Sequence, residues 1–127
     1  MSALPGLLLF AHGARDPNWA VPFHDTAARV KASRPGVPVV LAFLEFMSPD
    51  LLAAGRALAA DGCTAVAVVP LFLGAGGHVR KDLPALLGQL RDEFPQVAWT
   101  LAPAVGEHHS VVAAMAACAV EALPPGV

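Results

Sequence analysis

His12, Glu45 and His78 are the residues whose types could hold a divalent ion or move a proton. Each lies just beyond an apolar stretch with strand character. Gly6–Ala11 (GLLLFA) runs into His12, and residues 37–44 (VPVVLAFL) run into Glu45. Val66, Val68, Val69 and Pro70 precede a glycine-rich turn that ends on His78. Two imidazoles and a carboxylate suit a first-row divalent metal such as cobalt, nickel, iron or zinc. The same groups can serve as bases for proton transfer. Taken singly, each has a plainer role. A histidine after a strand is commonly a hydrogen-bonded structural residue, and a glutamate there can cap the next helix. Their shared position at three strand ends is what points to chemistry.

Other residues would complete such an edge. Arg15 and Arg80 neighbour the two histidines and are placed to grip carboxylates in bidentate fashion. Lys81 adds a third cation, for which ordinary surface charge is an equal reading. Phe46 and Met47 follow Glu45 and are expected to form a flat apolar wall rather than core. Gly74, Gly76 and Gly77 allow positive φ and a close approach of backbone to ligand. Asp82 is expected to cap the following helix, with Leu83 and Pro84 in its first turn. His24 is expected on the solvent side of the first helix. His108 and His109 open the last helix as caps or solvent-facing groups. Trp19, Trp99, Phe43 and Phe72 read as core.

Four elements of each kind must position these residues. After the first strand, Asp16-Pro17 starts a helix carrying Trp19, Phe23, Ala27 and Val30 at helical spacing, and Pro35-Gly36 stops it. Ser48-Pro49-Asp50 starts a second helix with Leu51, Ala54 and Leu58 inward, Gly55 in its interior and Gly62 at its end. Leu83, Leu86, Leu87, Leu90 and Phe94 line a third helix. Residues 97–101 (VAWTL) make a fourth strand, and a last helix covers Glu107 to Leu123 with Val111, Met115 and Cys118 on one face. Strand–helix repeated four times predicts an α/β three-layer sandwich: a four-stranded parallel sheet, right-handed crossovers and helices on both faces. With strand order 2-1-3-4, the three candidate residues converge.

The totals narrow the function classes. The 127 residues predict one domain, 1–127, with a single core. Apolar residues make up 56% and charged residues 14%, with mean hydropathy +0.59. No apolar run reaches a membrane span. The opening MSALPGLLLFAHGAR lacks a basic n-region and reads as a first strand, so the expected location is cytoplasmic. Cys63 and Cys118 form no CxxC and are expected to be two buried thiols. A net charge of −2 with no basic stripe argues against duplex nucleic acid.

The stretches LLLFAHGAR, AFLEFMSPDL and VVPLFLGAGGHVRKDLP together resemble the small CbiX/SirB-type sirohydrochlorin chelatases, which are class II chelatases. Ala14 stands where that family commonly has serine. The resemblance implies a chelatase-like fold and ATP-independent insertion of Co2+ or Fe2+ into sirohydrochlorin, toward cobalamin or sirohaem. Nickel is admitted by the same ligand types. It places the catalytic, metal-binding histidines at His12 and His78 and a further metal-site carboxylate at Glu45. Arg15, Phe46, Met47, Gly76, Gly77, Arg80 and Lys81 would meet the tetrapyrrole and its eight carboxylates. The metal is substrate, no prosthetic group is implied, and the short form of the family works as a homodimer. Two other functions compete: a non-catalytic carrier of metal or tetrapyrrole, and a histidine-dependent phosphoryl-transfer enzyme. The second lacks both a GxxxxGK[ST] loop and an arginine just before His12.

Overall fold

The computed structural model describes residues 3–74 and 76–126, and only the backbone of residues 77–80. Four parallel strands form one sheet: β1 (Pro5–Ala11), β2 (Val39–Phe43), β3 (Ala65–Pro70) and β4 (Ala98–Leu101). Their order is β2-β1-β3-β4, as expected from the sequence. β1 is central and pairs with both β2 and β3. Four helices follow the strands in turn: α1 (Val21–Ser33), α2 (Leu51–Ala60), α3 (Gly77–Glu93) and α4 (His109–Glu121).

Side-chain alternation along the strands assigns the helices to faces. Leu8, Phe10, Val66, Val68 and Trp99 point to one face, where Leu51, Ala54 and Leu58 of α2 and Leu83, Leu87 and Leu90 of α3 cover them. Leu9 and Val39 point to the other, beneath Ala27 of α1. The three inward residues expected of α2 are buried, as are Leu83, Leu87 and Leu90 of α3. Gly62 ends α2 with φ +92°, a conformation that favours glycine.

Several details differ from expectation. Asp16 caps a 3-10 turn, Pro17–Ala20, before α1 begins; its carboxylate accepts from the Asn18 N–H at 2.9 Å. α3 starts at Gly77 rather than at Asp82, so Pro84 lies inside it. Proline removes only one ladder bond and bends a helix without ending it, provided packing holds both halves. Buried Leu83 and Leu87 flank the proline here. Cys63 is buried, but Cys118 is an exposed free thiol. The reason is that α4 buries none of its residues, so Val111, Met115 and Cys118 form no inner face within the chain. Burial raises the Cys63 thiol pKa, with the nearby Asp61 carboxylate adding to the shift.

Gly55 has a role that helix propensity conceals. A Cβ there would come within 2.7 Å of Leu90 Cδ1 and 2.8 Å of Cδ2. The glycine lets α2 and α3 approach, and Arg56 of α2 clasps Glu93 of α3 through Nε–Oε1 at 2.9 Å and Nη2–Oε2 at 3.1 Å. Gly55→Val should therefore destabilise the fold by about 1–3 kcal/mol through overpacking. Urea unfolding checks this, and unchanged stability would mean that Leu90 moves aside freely.

Candidate functional site

The site begins with backbone pairing that runs past the strands. In register, Ala11 of β1 faces Phe43 of β2. Beyond them the Leu44 N–H donates to the Ala11 carbonyl at 2.9 Å, and the Glu45 N–H donates to the His12 carbonyl at 3.1 Å. His12 and Glu45 are thus carried side by side out of the sheet. Gly13 makes this approach feasible. Its φ is +93°, and a Cβ there would collide with the Glu45 carbonyl. The His12 Nε2 lies 3.8 Å from Glu45 Oε1, with both side chains 51% exposed. That separation is too long for a direct hydrogen bond.

The third strand supports the histidine. The Leu71 N–H donates to the Phe10 carbonyl at 2.8 Å, which holds the start of the loop after β3 against β1. Buried Phe72 then sets its ring edgewise to His12, centroids 5.8 Å apart, and edgewise to Phe10 at 5.9 Å. Phe72 was expected to be core. It is core, and it also packs against the candidate ligand. Its place two residues after Pro70, just before the glycine turn, was the available signal.

Phe46 and Met47 both line the cleft beside Glu45, while Met47 is also partly buried against Ala11, Ala20 and Phe43. Phe46 has φ +65°, and the Met47 N–H donates to the Glu45 carbonyl at 2.8 Å. This three-residue turn is a strained conformation for a bulky side chain. It leaves Phe46 58% exposed, with the Arg15 guanidinium 5.0 Å from the ring centroid. Arg15, Phe43, Phe46 and Met47 line a cleft of about 360 Å3. His24 lines it too, 6.2 Å from the Phe43 ring. It is exposed, as its place on the solvent side of the helix predicted, yet it borders the cleft.

On the third loop, Gly76 is the N-terminal flanking residue of α3 with φ −68° and ψ 161°. Neither it nor Gly74 takes the positive φ that the glycine run suggested. Extended backbone suffices because the loop turns directly into a helix. Gly77, His78 and Arg80 lie in the first turn of α3, and the side chains of His78 and Arg80 lie outside the described residues. Lys81 is exposed. Among the described residues no group of three or more metal-ligating side chains gathers; His12 and Glu45 supply two. His108 Nδ1 accepts from the Ser110 N–H at 3.1 Å, so that histidine is a cap, and His109 is exposed.

Comparison with known proteins agrees with this fold. The chain is 35% identical over 91 residues to a sirohydrochlorin cobaltochelatase of Saccharolobus solfataricus, covering 69% of this chain and 67% of that one. A crystal structure of a cobalamin-biosynthesis CbiX protein from Marinobacter aquaeolei superposes with TM-score 0.81 at 31% identity, covering 92% of this chain and 95% of that one. The sirohydrochlorin chelatase SirB from Bacillus subtilis subspecies spizizenii, solved with cobalt, shares the fold with TM-score 0.81 at 23% identity. This chain covers half of SirB. The family model CbiX matches residues 6–122, nearly the whole sequence, and the chain belongs to the CbiX family.

Proposed function

We propose that this protein inserts a divalent metal, Co2+ foremost and Fe2+ as the alternative, into sirohydrochlorin without ATP. The observation that carries this reading is the pairing of His12 with Glu45 at the exposed rim of the sheet, beside a cleft walled by Phe46 and Arg15. A metal with bonds of about 2.1 Å holds two ligands about 3.4 Å apart when tetrahedral. The 3.8 Å between His12 Nε2 and Glu45 Oε1 needs only a small contraction to reach that. The similarity to named cobaltochelatases supports the reaction class.

The chemistry asks three things of the chain. It must bind a hydrated ion weakly enough to release it, and one imidazole with one carboxylate on an open edge suits that. It must take up the two pyrrole N–H protons displaced as the ion enters the ring. A neutral imidazole can accept a proton once it has given up its metal, whereas a protonated one can neither ligate nor accept. It must also hold a broad, flat ligand bearing carboxylates. The Phe46 ring offers a face, and Arg15 offers bidentate hydrogen bonds. His78 and Arg80, in the first turn of α3, are assigned the second ligand-and-base role and a second carboxylate contact. Gly76, Gly77 and Lys81 complete the substrate rim.

A tetrapyrrole has two faces, and one strand-end edge addresses one of them. Binding sites usually bury most of a ligand. We therefore assign the chain, as one chelatase-like unit, to a twofold homodimer whose second copy closes the cleft. Sedimentation at micromolar concentration should give twice the 13.0 kDa chain mass.

The test of the reaction is anaerobic absorbance of sirohydrochlorin with Co(II), Fe(II) and Ni(II). His12→Ala and His78→Ala should each lower the rate by about a hundredfold or more while the circular dichroism stays native. Full activity in the double variant would end the assignment. Glu45→Gln should weaken metal binding with a smaller loss of rate; unchanged affinity and rate would leave Glu45 a structural residue. A protein that binds Co(II) at His12 yet never metallates the ring would be a carrier instead.

A further inference from the structure

The cleft beside the candidate metal pair serves something other than the metal. Neither His12 nor Glu45 lines its volume of about 360 Å3; Arg15, His24, Phe43, Phe46, Met47 and Ser48 do. The chain carries a net charge of −2, yet no carboxylate is among the lining residues. Arg15 and His24 are its nitrogen donors, and Ser48 adds a hydroxyl. Among the described residues no carboxylate pairs with either Arg15 or His24. The acids nearest in sequence are engaged elsewhere. Asp16 accepts from the Asn18 N–H at 2.9 Å, Asp25 pairs with Arg29 at 3.1 Å, and Glu45 faces His12.

The fold puts His24 there. α1 follows β1 and runs back along the sheet, so its first turn lies at the carboxyl edge of the strands, as His12 does. His24 belongs to that turn. It stands four residues after buried Ala20 and three before buried Ala27, on the flank of the stripe that faces the sheet. An apolar side chain is ordinary at such a place. The imidazole instead meets the Phe43 ring, with centroids 6.2 Å apart and planes at 58°. The Trp19 and Phe23 rings, 4.6 Å apart, pack beside Ala20 and Phe43 and fix the start of the helix. His24 is therefore held at the cleft by packing on its neighbours, while its own side chain stays exposed.

The lining identifies the chemistry of the occupant. Arg15 rests by the Phe46 ring, its guanidinium 5.0 Å from the centroid. A guanidinium held against an aromatic ring keeps N–H groups in its own plane for an acceptor. An imidazole donates through a ring N–H whether or not it is protonated. Phe43 and Met47 add apolar surface to these donors. Donors without an acid, beside apolar surface, match a carboxylate on a short aliphatic stem. Size and continuity say where that stem comes from. Ligand pockets run to about 300–1,000 Å3, so this cleft, at the foot of that range, takes an arm of a large ring and not the ring itself. Phe46 follows Glu45 directly and lines the cleft, so a ring presented to the His12–Glu45 pair has its periphery at this wall.

We propose that His24 is a substrate-binding residue, which with Arg15 grips one carboxylate arm of the tetrapyrrole in this cleft. This rests on the reaction proposed above and adds to it a residue and a place. His24 touches the substrate and not the ion. An arm fixed here sets the rotation of the ring over the metal pair, so that the pyrrole nitrogens arrive in one position.

The test titrates metal-free sirohydrochlorin onto the full chain under anaerobic conditions, and Co(II) separately onto the chain without the ring. His24→Ala should weaken ring binding about tenfold, the loss of one hydrogen bond to a charged group. Its Co(II) affinity should stay as in wild type, and its circular dichroism native, because His24 is exposed. In turnover the loss should fall on KM, with kcat within about twofold. His24→Gln, whose amide donates from the place of the imidazole Nε2, should regain most of the affinity. Arg15→Ala should weaken ring binding too. The double variant should lose less than the product of the two single losses, because both release the same arm.

Unchanged ring affinity in His24→Ala overturns the proposal, and so does a glutamine variant as weak as alanine. A fall in Co(II) affinity in His24→Ala also overturns it, by placing His24 at the ion. Fully independent losses at the two positions overturn the shared arm. A wild type that binds the ring yet inserts no metal ends the chelatase reading and leaves this subsite standing. One that binds no sirohydrochlorin overturns both.

Discussion

Because β1 pairs in parallel with both β2 and β3, three different strands end at one edge around a single central strand. Everything at the candidate site follows from that constraint. The first loop and its neighbours on either side cannot separate, since ladder-like hydrogen bonds continue beyond the last strand residues on both flanks. A residue that ends the first strand is consequently next to one that ends the second and beneath one that follows the third. His12 has Glu45 on one side and Phe72 on the other for this reason.

Close approach has conformational costs, and the chain meets them locally. Gly13 adopts a φ that other residues resist, and its missing side chain leaves room for the Glu45 carbonyl. Phe46 takes a left-handed conformation without being glycine. Strain of that kind, about 1–3 kcal/mol, persists only where the surroundings over-determine it. Here it keeps an aromatic ring in solvent under an arginine, beside two candidate metal ligands. The arginine gains a cation–π contact from that ring and keeps its guanidinium at the rim of the cleft. The same economy appears in the scaffold, where Gly55 lets α2 and α3 close on Leu90.

The sequence by itself determined the layered architecture; the strand order entered as the condition under which the edge forms, and strand pairing in the structure meets it. Valine- and leucine-rich runs of strand length, separated by helical periodicity, admit few other arrangements once crossovers are right-handed. It also determined which polar residues reach the edge, because His12 and Glu45 stand immediately beyond such runs. That Phe46 and Met47 lie beside Glu45 was legible for the same reason, but not that Met47 would pack against the core as well. Tertiary structure decided what depends on the distance between elements far apart in the chain. Whether Phe72 only fills the core or also meets His12 turns on how β3 lies against β1. Whether Gly55 weakens a helix or is required by it turns on where Leu90 sits. The start of α3 at Gly77 turns on packing around Pro84, which local propensity cannot see. Cys118 and the apolar positions of α4 show the limit most plainly. Periodicity reports that a helix has apolar faces to cover, but the direction in which the helix leaves the sheet decides whether its own chain covers them.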